Sequence, residues 1–212
     1  MVRRSRVILA GEGVTVKYTP DLHPWSPLTV AEVISVLDCV PGLWWLSGGC
    51  AIDEYLGSPT REHGDIDVTM AREDWPAIHE ALRDTLDIWI AGGDHFRNPA
   101  IEELRPGDHN LWARWPGDGP WRLQLNLEDI TEGTWSYRRD PRITRPVPEA
   151  SWWSGRLTCI APAVQLLWKS RDPLPKDDHD YALTVPRLPP SERAWLQAAI
   201  RQAHPASPWA GP

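Results

Sequence analysis

The segment between residues 43 and 70 constrains the fold of this chain more than any other part of the sequence. It opens with a short apolar run, Leu43–Leu46, which is typical of a buried strand, and the run ends in Ser47, Gly48 and Gly49. The residues that follow have the apolar spacing of a short helix. A glycine-rich turn between a strand and a helix lets backbone amides approach an anion, and the helix N-terminus adds its positive dipole end. A Gly-Gly pair alone is better explained as an ordinary tight turn, and it is the order of these elements that favours a site for a triphosphate.

A second strand in the same segment carries two carboxylates. Asp65–Met70 alternates polar and apolar residues, so Asp65 and Asp67 are expected on one face while Ile66 and Val68 enter the core. Two carboxylates at this spacing repel each other unless a cation lies between them or one is protonated. Magnesium is bound in this way, by one or two carboxylates together with water and substrate phosphates. Taken alone, the three residues 65–67 are better explained as the solvated face of a strand, and the preceding glycine turn makes the metal site the stronger hypothesis.

Periodicity and turn residues predict alternating helices and strands in the rest of the chain. The predicted helices are Thr29–Val40, Cys50–Leu56 (ending at Gly57), Trp75–Leu86, Ala161–Ser170, Lys176–Thr184 and Ser191–Ala203, and the further strands are Asp87–Ala91, Asn110–Trp115 and Trp121–Leu127. This pattern predicts an α+β fold. A mixed sheet flanked by helices is expected in residues 25–150, followed by a small C-terminal helical subdomain in residues 151–204.

Composition narrows the class of protein. The 212 residues are 42% hydrophobic and 24% charged, within the range of globular chains. The apolar run Val7–Ala10 is too short for a signal peptide and no run reaches membrane-spanning length, so we expect a cytoplasmic protein without a membrane partner. The formal net charge of -7 argues against nucleic acid as a partner and favours a cationic small molecule. Three widely spaced cysteines, Cys39, Cys50 and Cys159, are expected to be buried or half-buried free thiols.

Two stretches resemble a known family. The first, LWWLSGGCAIDEYLGSPTREHGDIDVTM (Leu43–Met70), resembles the signature of the aminoglycoside 2''-adenylyltransferases and their lincosamide-modifying relatives, within the polymerase-beta-type nucleotidyltransferases. The matching residues are Gly48, Gly49, Asp53, Gly57, Arg61, His63, Asp65, Ile66 and Asp67. The second, KSRDPLPKDDHDYALTVPRL (Lys169–Leu188), is similar to the Lys-Asp-x-x-Asp helix in the C-terminal part of such proteins.

The resemblance implies a nucleotidyltransferase-type fold and a reaction. A nucleoside monophosphate, from ATP or another nucleoside triphosphate, would pass to a hydroxyl of a small-molecule acceptor with release of pyrophosphate. Asp65 and Asp67 would be catalytic and bind Mg2+, which neutralises charge and orients the phosphates. The residues expected to bind the nucleotide are Ser47, Gly48, Gly49, Arg61, His63 and Lys169, and the substrate-pocket candidates are Asp53, Gln124 and Asn126. Taken singly, His63, Arg61 and Lys169 also fit ordinary surface side chains, and Asp177 and Asp180 are expected to order the tail through Arg or Lys partners.

The sequence departs from the family at one position. The family commonly has a third carboxylate on a later strand, and here Gln124 or Asn126 stands where it is expected. An amide cannot accept a proton near neutral pH, which bears directly on catalysis. Glu128, about 7 Å further along the strand, is a candidate replacement. Alternatively, the substrate brings its own base, or the protein binds nucleotide without transferring it.

Three functions therefore remain open at the level of sequence. The first is a magnesium-dependent nucleotidyltransferase acting on an aminoglycoside- or lincosamide-like compound. The second is a transferase that modifies RNA or protein, with RNA disfavoured by the acidic charge balance. The third is a catalytically silent nucleotidyltransferase fold that binds nucleotide or a protein partner, and Gln124 and Asn126 favour it. Neither the acceptor nor the oligomeric state follows from the sequence.

Overall fold

The computed structural model describes residues 15–17, 24–92, 95–99, 103–117 and 119–211, so the run Val7–Ala10 lies outside the described residues. The described strands are β1 (Thr15–Lys17), β2 (Trp44–Ser47), β3 (Asp67–Ala71), β4 (Asp87–Gly92), β5 (His95–Arg97), β6 (Asn110–Arg114), β7 (Leu123–Thr131), β8 (Thr134–Ser136), β9 (Thr144–Pro146), β10 (Ser151–Trp153) and β11 (Thr158–Ile160). The described helices are α1 (Val30–Leu37), α2 (Gly48–Leu56), α3 (Trp75–Leu82), α4 (Val147–Ala150), α5 (Pro162–Lys169), α6 (Pro175–Thr184) and α7 (Pro190–Ala203).

The strands form one mixed sheet in the order β1-β5-β4-β6-β7-β3-β2-β11-β10, and β8 extends it by pairing with β7 and β9. Two of the neighbouring pairs are parallel, β3 with β7 and β11 with β2, and the others are antiparallel. In the centre, Ser47 is opposite Asp67 across β2 and β3, and Asp67 is opposite Gln124 across β3 and β7. This register brings the end of β2 and the start of β3 next to the polar positions of β7. The α+β prediction is confirmed.

Local signals explain where the two helices nearest to this region begin and end. The Thr29 hydroxyl accepts a hydrogen bond from the Glu32 amide, and the Thr29 amide donates to the Glu32 carboxylate. This capping box contributes about 1 kcal/mol to α1. Helix α2 begins directly after Ser47, and it ends at Gly57, whose φ of 81° requires glycine. Helix α2 packs against α5 and α6, so the C-terminal helices cover the region that follows β2.

Several predicted boundaries are corrected by the structure. The strand predicted to begin at Asp65 begins at Asp67, because pairing with β2 stops at Ser47. Asp65 therefore precedes the strand, and strand alternation does not place it beside Asp67. The helix predicted to reach Leu86 ends at Leu82, and the last predicted strand of the domain continues beyond Leu127 to Thr131.

The part of the chain expected to be helical also contributes strands to the sheet. β10 and β11 lie after residue 150, and Cys159 of β11 pairs with Leu46 of β2. These strands are three residues each, too short to leave a periodic signal. The three C-terminal helices are close to their predicted bounds. The division into residues 25–150 and 151–204 stays a prediction.

The environment of the thiols and the polarity of the helices can be compared with expectation. All three cysteines are free; Cys159 is buried and Cys50 half-buried as expected, whereas Cys39 is exposed. Among the described residues, no helix combines the length and the apolar character needed to cross a bilayer.

Candidate active site

A pocket of about 250 Å³ lies where β2, β3 and β7 meet helix α5. Its lining includes most of the residues singled out in the sequence: Ser47, Gly48, Gly49, Arg61, Asp65, Asp67, Asn126, Glu128 and Lys169. The expectation that both aspartates face one cleft together with the glycine turn is thereby confirmed. Asp65 reaches the pocket from the loop before β3, and not from the strand face as predicted.

The glycine turn is shaped by close approach to the metal-binding candidates. Gly48 has a φ of 69°, and a Cβ at this position would collide with the Asp67 carboxylate. Its amide donates to Oε1 of Gln165 over 2.7 Å. The Oγ of Ser47 is buried and has no hydrogen-bond partner among the described residues. A buried hydroxyl without a partner is costly, so a ligand oxygen at the start of α2 would satisfy it.

The Asp67 carboxylate shows the effect of burial on a crowded acid. Its Oδ1 accepts a hydrogen bond from Nδ2 of Asn126 over 3.1 Å. Burial, together with the negative charge of Asp65, raises the pKa of Asp67 to about 6. A cation between Asp65 and Asp67 would remove this repulsion. The described part of the chain contains no cluster of three His, Cys, Asp or Glu at metal-binding spacing, and two carboxylates fit magnesium, which takes its remaining ligands from water and phosphate.

Strand β7, on which the third carboxylate is expected, presents an amide to Asp67. Of the two candidates, Asn126 lines the pocket and contacts Asp67, whereas Gln124 lies one step back and donates Nε2 to Oδ1 of Asn126 over 2.9 Å. Both amides are on the same face of β7, as alternation predicts. Asn126 is therefore the β7 amide that contacts the carboxylate pair, and Gln124 hydrogen-bonds to it.

Glu128 is poorly suited to the role of base. It is only 6% exposed, and its Oε2 accepts a hydrogen bond from Nε1 of Trp135 over 3.1 Å. Burial raises the pKa of Glu128 to about 8, so the side chain keeps its proton at neutral pH. A protonated carboxyl cannot accept the proton of an acceptor hydroxyl. The raised pKa of Glu128 is unfavourable for a general base, and its catalytic role stays a prediction.

Asp53 and His63 organise the loop that precedes the aspartates. Asp53 accepts from the amide and the hydroxyl of Thr60, over 3.0 and 2.7 Å, through one carboxylate oxygen. Its other oxygen is 2.6 Å from Nε2 of His63. The His63 ring packs so close to Gly49 that a Cβ there would clash. Asp53 and His63 line a neighbouring cavity of about 680 Å³ instead of the pocket that contains the aspartates.

Arg61 and Lys169 are held by acids of α6. Arg61 donates to both carboxylate oxygens of Asp180 over 3.0 Å. The ammonium of Lys169 is 2.6 Å from Asp177 and 3.1 Å from Asp180, and Asp180 is buried. The expectation that Asp177 and Asp180 order the tail through Arg or Lys partners is confirmed. Arg61 and Lys169 line the pocket with their charges already paired.

The sequence did not reveal every polar side chain of the pocket. The lining also contains Thr69, Asn110, Arg138, Arg139, Gln165 and Lys176. Arg138 and Arg139 follow β8, a three-residue strand that periodicity does not detect. The pair of adjacent arginines was the only signal available for them, and by itself it is typical of a solvated turn.

Residues 29–92 match the family model of the aminoglycoside 2''-adenylyltransferases. The match runs from the start of α1 to the end of β4 and contains Ser47, Gly49, Asp65 and Asp67. The resemblance predicted from the sequence is confirmed over this segment. No curated protein matches the chain.

Solved structures extend the likeness to most of the chain. The solution structure of the antibiotic-resistance factor ANT(2'')-Ia is 22% identical, with a TM-score of 0.53, over 84% of this chain and 91% of that one. The crystal structure of ANT(2'')-Ia in complex with adenylyl-2''-tobramycin is 19% identical, with a TM-score of 0.53, over 82% and 95% of the two chains. The lincomycin-bound lincosamide antibiotic adenylyltransferase LnuA is 20% identical, with a TM-score of 0.52, over 74% and 97%. At these identities the likeness shows the nucleotidyltransferase-type fold.

Proposed function

We propose that this protein is a magnesium-dependent nucleotidyltransferase that moves a nucleoside monophosphate, AMP from ATP or its equivalent from another triphosphate, to a hydroxyl of a small molecule. The acceptor class we propose is an aminoglycoside- or lincosamide-like compound, as in the relatives whose structures contain adenylyl-2''-tobramycin and lincomycin. The observation that carries the proposal is the shared pocket of Asp65, Asp67 and the Ser47–Gly49 turn. The reaction would take place in the cytoplasm, and nucleic acid is not the acceptor.

The atoms of the proposed reaction balance without a further co-reactant. The acceptor oxygen forms a bond to the α-phosphorus, the bond from that phosphorus to the oxygen bridging to the β-phosphate breaks, and pyrophosphate leaves. The proton of the acceptor hydroxyl passes to water, or to an amine of the acceptor where there is one. Magnesium, when bound, would neutralise phosphate charge and orient the triphosphate. Asp65 and Asp67 would hold it, and the unpartnered Ser47 hydroxyl, at the N-terminus of α2, would bind a phosphate oxygen.

The weak point of this site is proton removal. Asn126 replaces the family's third carboxylate, and Glu128 keeps its proton at neutral pH. General-base help contributes on the order of a hundred- to ten-thousandfold in rate. We therefore expect measurable nucleotide binding with slow transfer, unless the acceptor supplies an amine that takes the proton. These two residues also favour a second candidate, a protein of this fold that binds nucleotide without transferring it.

Magnesium-dependent release of pyrophosphate from ATP is the test. Purified protein is incubated with ATP and a panel of aminoglycosides and lincosamides, with and without magnesium, beside Asp67→Asn and the exposed control Asp84→Asn. The proposal requires that wild type and Asp84→Asn release pyrophosphate with at least one acceptor when magnesium is present. Asp67→Asn should release it at least a hundredfold more slowly than wild type. Magnesium-ATP binding without release from any acceptor would support the nucleotide-binding candidate, and the absence of magnesium-ATP binding would exclude both.

A further inference from the structure

The cations that line the pocket differ in whether their charge is already paired. Arg61 is paired with Asp180, and Lys169 with Asp177 and Asp180. Arg138 is different, because it makes no hydrogen bond or ion pair to any residue that the structure describes. Its guanidinium instead lies over an aromatic ring, the indole of Trp168, with 5.0 Å between the guanidinium carbon and the ring centroid.

The backbone around Arg138 is fixed, so the side chain is held at the pocket. The preceding residue, Tyr137, is fully buried, and its hydroxyl lies 2.7 Å from Nε2 of His204. The Tyr137 amide donates to the carbonyl of Ile143 over 2.9 Å, which closes the turn that contains Arg138. The cation–π contact with Trp168 restrains the guanidinium further. A pre-oriented arginine loses little conformational freedom when it binds a ligand.

The acid with the largest effect on the pKa of Arg138 does not serve as its counter-ion. Glu128 lies close enough for each side chain to influence the pKa of the other, yet the two make no ion pair. Glu128 instead accepts its hydrogen bond from Trp135 and keeps its proton at neutral pH. Asp129 also raises the pKa of Arg138, but its carboxylate contacts Arg72. Arg138 is half-buried, and burial of a cation that makes no ion pair is unfavourable. An anion in the pocket would relieve this cost.

We propose that Arg138 binds a phosphate group of the substrate, through the two parallel donors of its guanidinium. The proposal rests on the proposed function, since it assigns a ligand group to the same pocket. Arginine matches phosphate geometry with bidentate hydrogen bonds, and partial exclusion of water strengthens them. The phosphate comes either from the nucleoside triphosphate or from a phosphorylated acceptor, and the experiment distinguishes the two.

Calorimetry on wild type, Arg138→Gln, Arg138→Lys and the exposed control Arg171→Gln provides the test. The first probes are magnesium-ATP and inorganic tripolyphosphate. The second is inorganic phosphate, titrated into the protein alone and into protein saturated with a non-hydrolysable magnesium-ATP analogue. Arg138→Gln should fold, because it removes an unpaired cation and leaves Glu128 neutral; unfolding in urea checks this. A charged bidentate contact corresponds to about ten- to a hundredfold in affinity, and Arg138→Lys should recover only part of it.

Each outcome decides a different question. Weaker binding of ATP and tripolyphosphate by Arg138→Gln, with Arg171→Gln unchanged, supports the proposal and assigns the nucleotide as the source. Weaker binding of inorganic phosphate alone supports it and assigns the acceptor. Equal affinities in wild type and Arg138→Gln for all three probes, or no binding of any probe by wild type, overturn it. If wild type binds inorganic phosphate through Arg138 but no magnesium-ATP, the proposed function fails and this inference stands.

Discussion

Replacing Glu128 with glutamine isolates the electrostatic cost of one buried acid. Glutamine has nearly the same shape, and its carbonyl oxygen can accept the hydrogen bond from Trp135 Nε1 that Glu128 now accepts over 3.1 Å. Packing is therefore conserved and only the ionisable proton is removed. Because Glu128 is 6% exposed, water screens its charge weakly.

The sign and size of the effect follow from the two pKa values. Burial raises the folded pKa of Glu128 from 4.5 to about 8. The folded state then binds the proton more tightly than the unfolded state, so the stabilisation is complete below pH 4.5 and is lost as pH rises towards 8. Each pH unit in this window lowers the free energy of unfolding by about 1.4 kcal/mol, which gives about 3 kcal/mol at pH 7. Glutamine does not titrate and avoids this loss.

Urea unfolding of wild type and Glu128→Gln between pH 5 and pH 9 measures the effect. The difference in free energy of unfolding should grow in favour of glutamine by about 3 kcal/mol between pH 5 and pH 7.5, and level off above pH 8. Subtracting the two proteins removes the titration of all other groups. Glu73→Gln, an exposed acid, should show a constant difference. A constant difference for Glu128→Gln as well would mean that Glu128 is ionised in the folded protein, and it would restore Glu128 as a candidate base.

Three further substitutions probe the pocket. Asp67→Asn should weaken magnesium-ATP binding in calorimetry at least tenfold. It should also raise the free energy of unfolding at pH 7 by up to about 3 kcal/mol, because the pKa of Asp67 rises from 3.8 to about 6 on folding and the ionised carboxylate therefore destabilises the folded state at pH 7. Asn126→Asp should raise the rate of pyrophosphate release on the order of a hundredfold if the acceptor binds, and an unchanged rate would show that proton removal does not limit transfer. Asp180→Asn should lower the free energy of unfolding in urea by about 3 kcal/mol, since Arg61 and Lys169 lose their shared buried partner; a loss below about 1 kcal/mol would contradict that reasoning.

Local order in the sequence was sufficient to predict half of the pocket. The Ser47–Gly49 turn and the two aspartates are separated by fewer than twenty residues, and antiparallel pairing of β2 with β3 brings Ser47 opposite Asp67. Polar and apolar alternation also placed Gln124 and Asn126 on one face of β7 correctly. It did not reveal that Asp65 lies outside the strand, because three alternating residues look the same in a strand and in the extended loop that enters it.

The remaining pocket residues depend on contacts between distant parts of the chain. The register of β3 against β7 places Gln124 opposite Asp67, yet the amide that contacts Asp67 is that of Asn126, two residues further along β7. No local pattern specifies the register between parallel strands or the direction in which their side chains lean. The charge state of Glu128 depends on burial under β8, which Trp135 completes. Arg138 reaches the pocket only because its turn is fixed to the C-terminal helices through Tyr137 and His204. Interactions of this kind leave no periodic trace in the sequence.

These long-range contacts also show that the segment matching the family model does not form the site alone. Inside residues 29–92, the Gly48 amide is fixed by Gln165 of α5, and Arg61 by Asp180 of α6. Strand β2, which ends at the glycine turn, pairs with β11 from the C-terminal part. The carboxylates proposed to hold magnesium thus come from the matched segment, whereas the residues that position the turn and the unpaired Arg138 come from outside it. If the proposed transfer takes place, a chimera that exchanges only residues 29–92 with ANT(2'')-Ia should keep the acceptor preference of the protein that supplies the rest, measured as pyrophosphate release against the same panel of antibiotics.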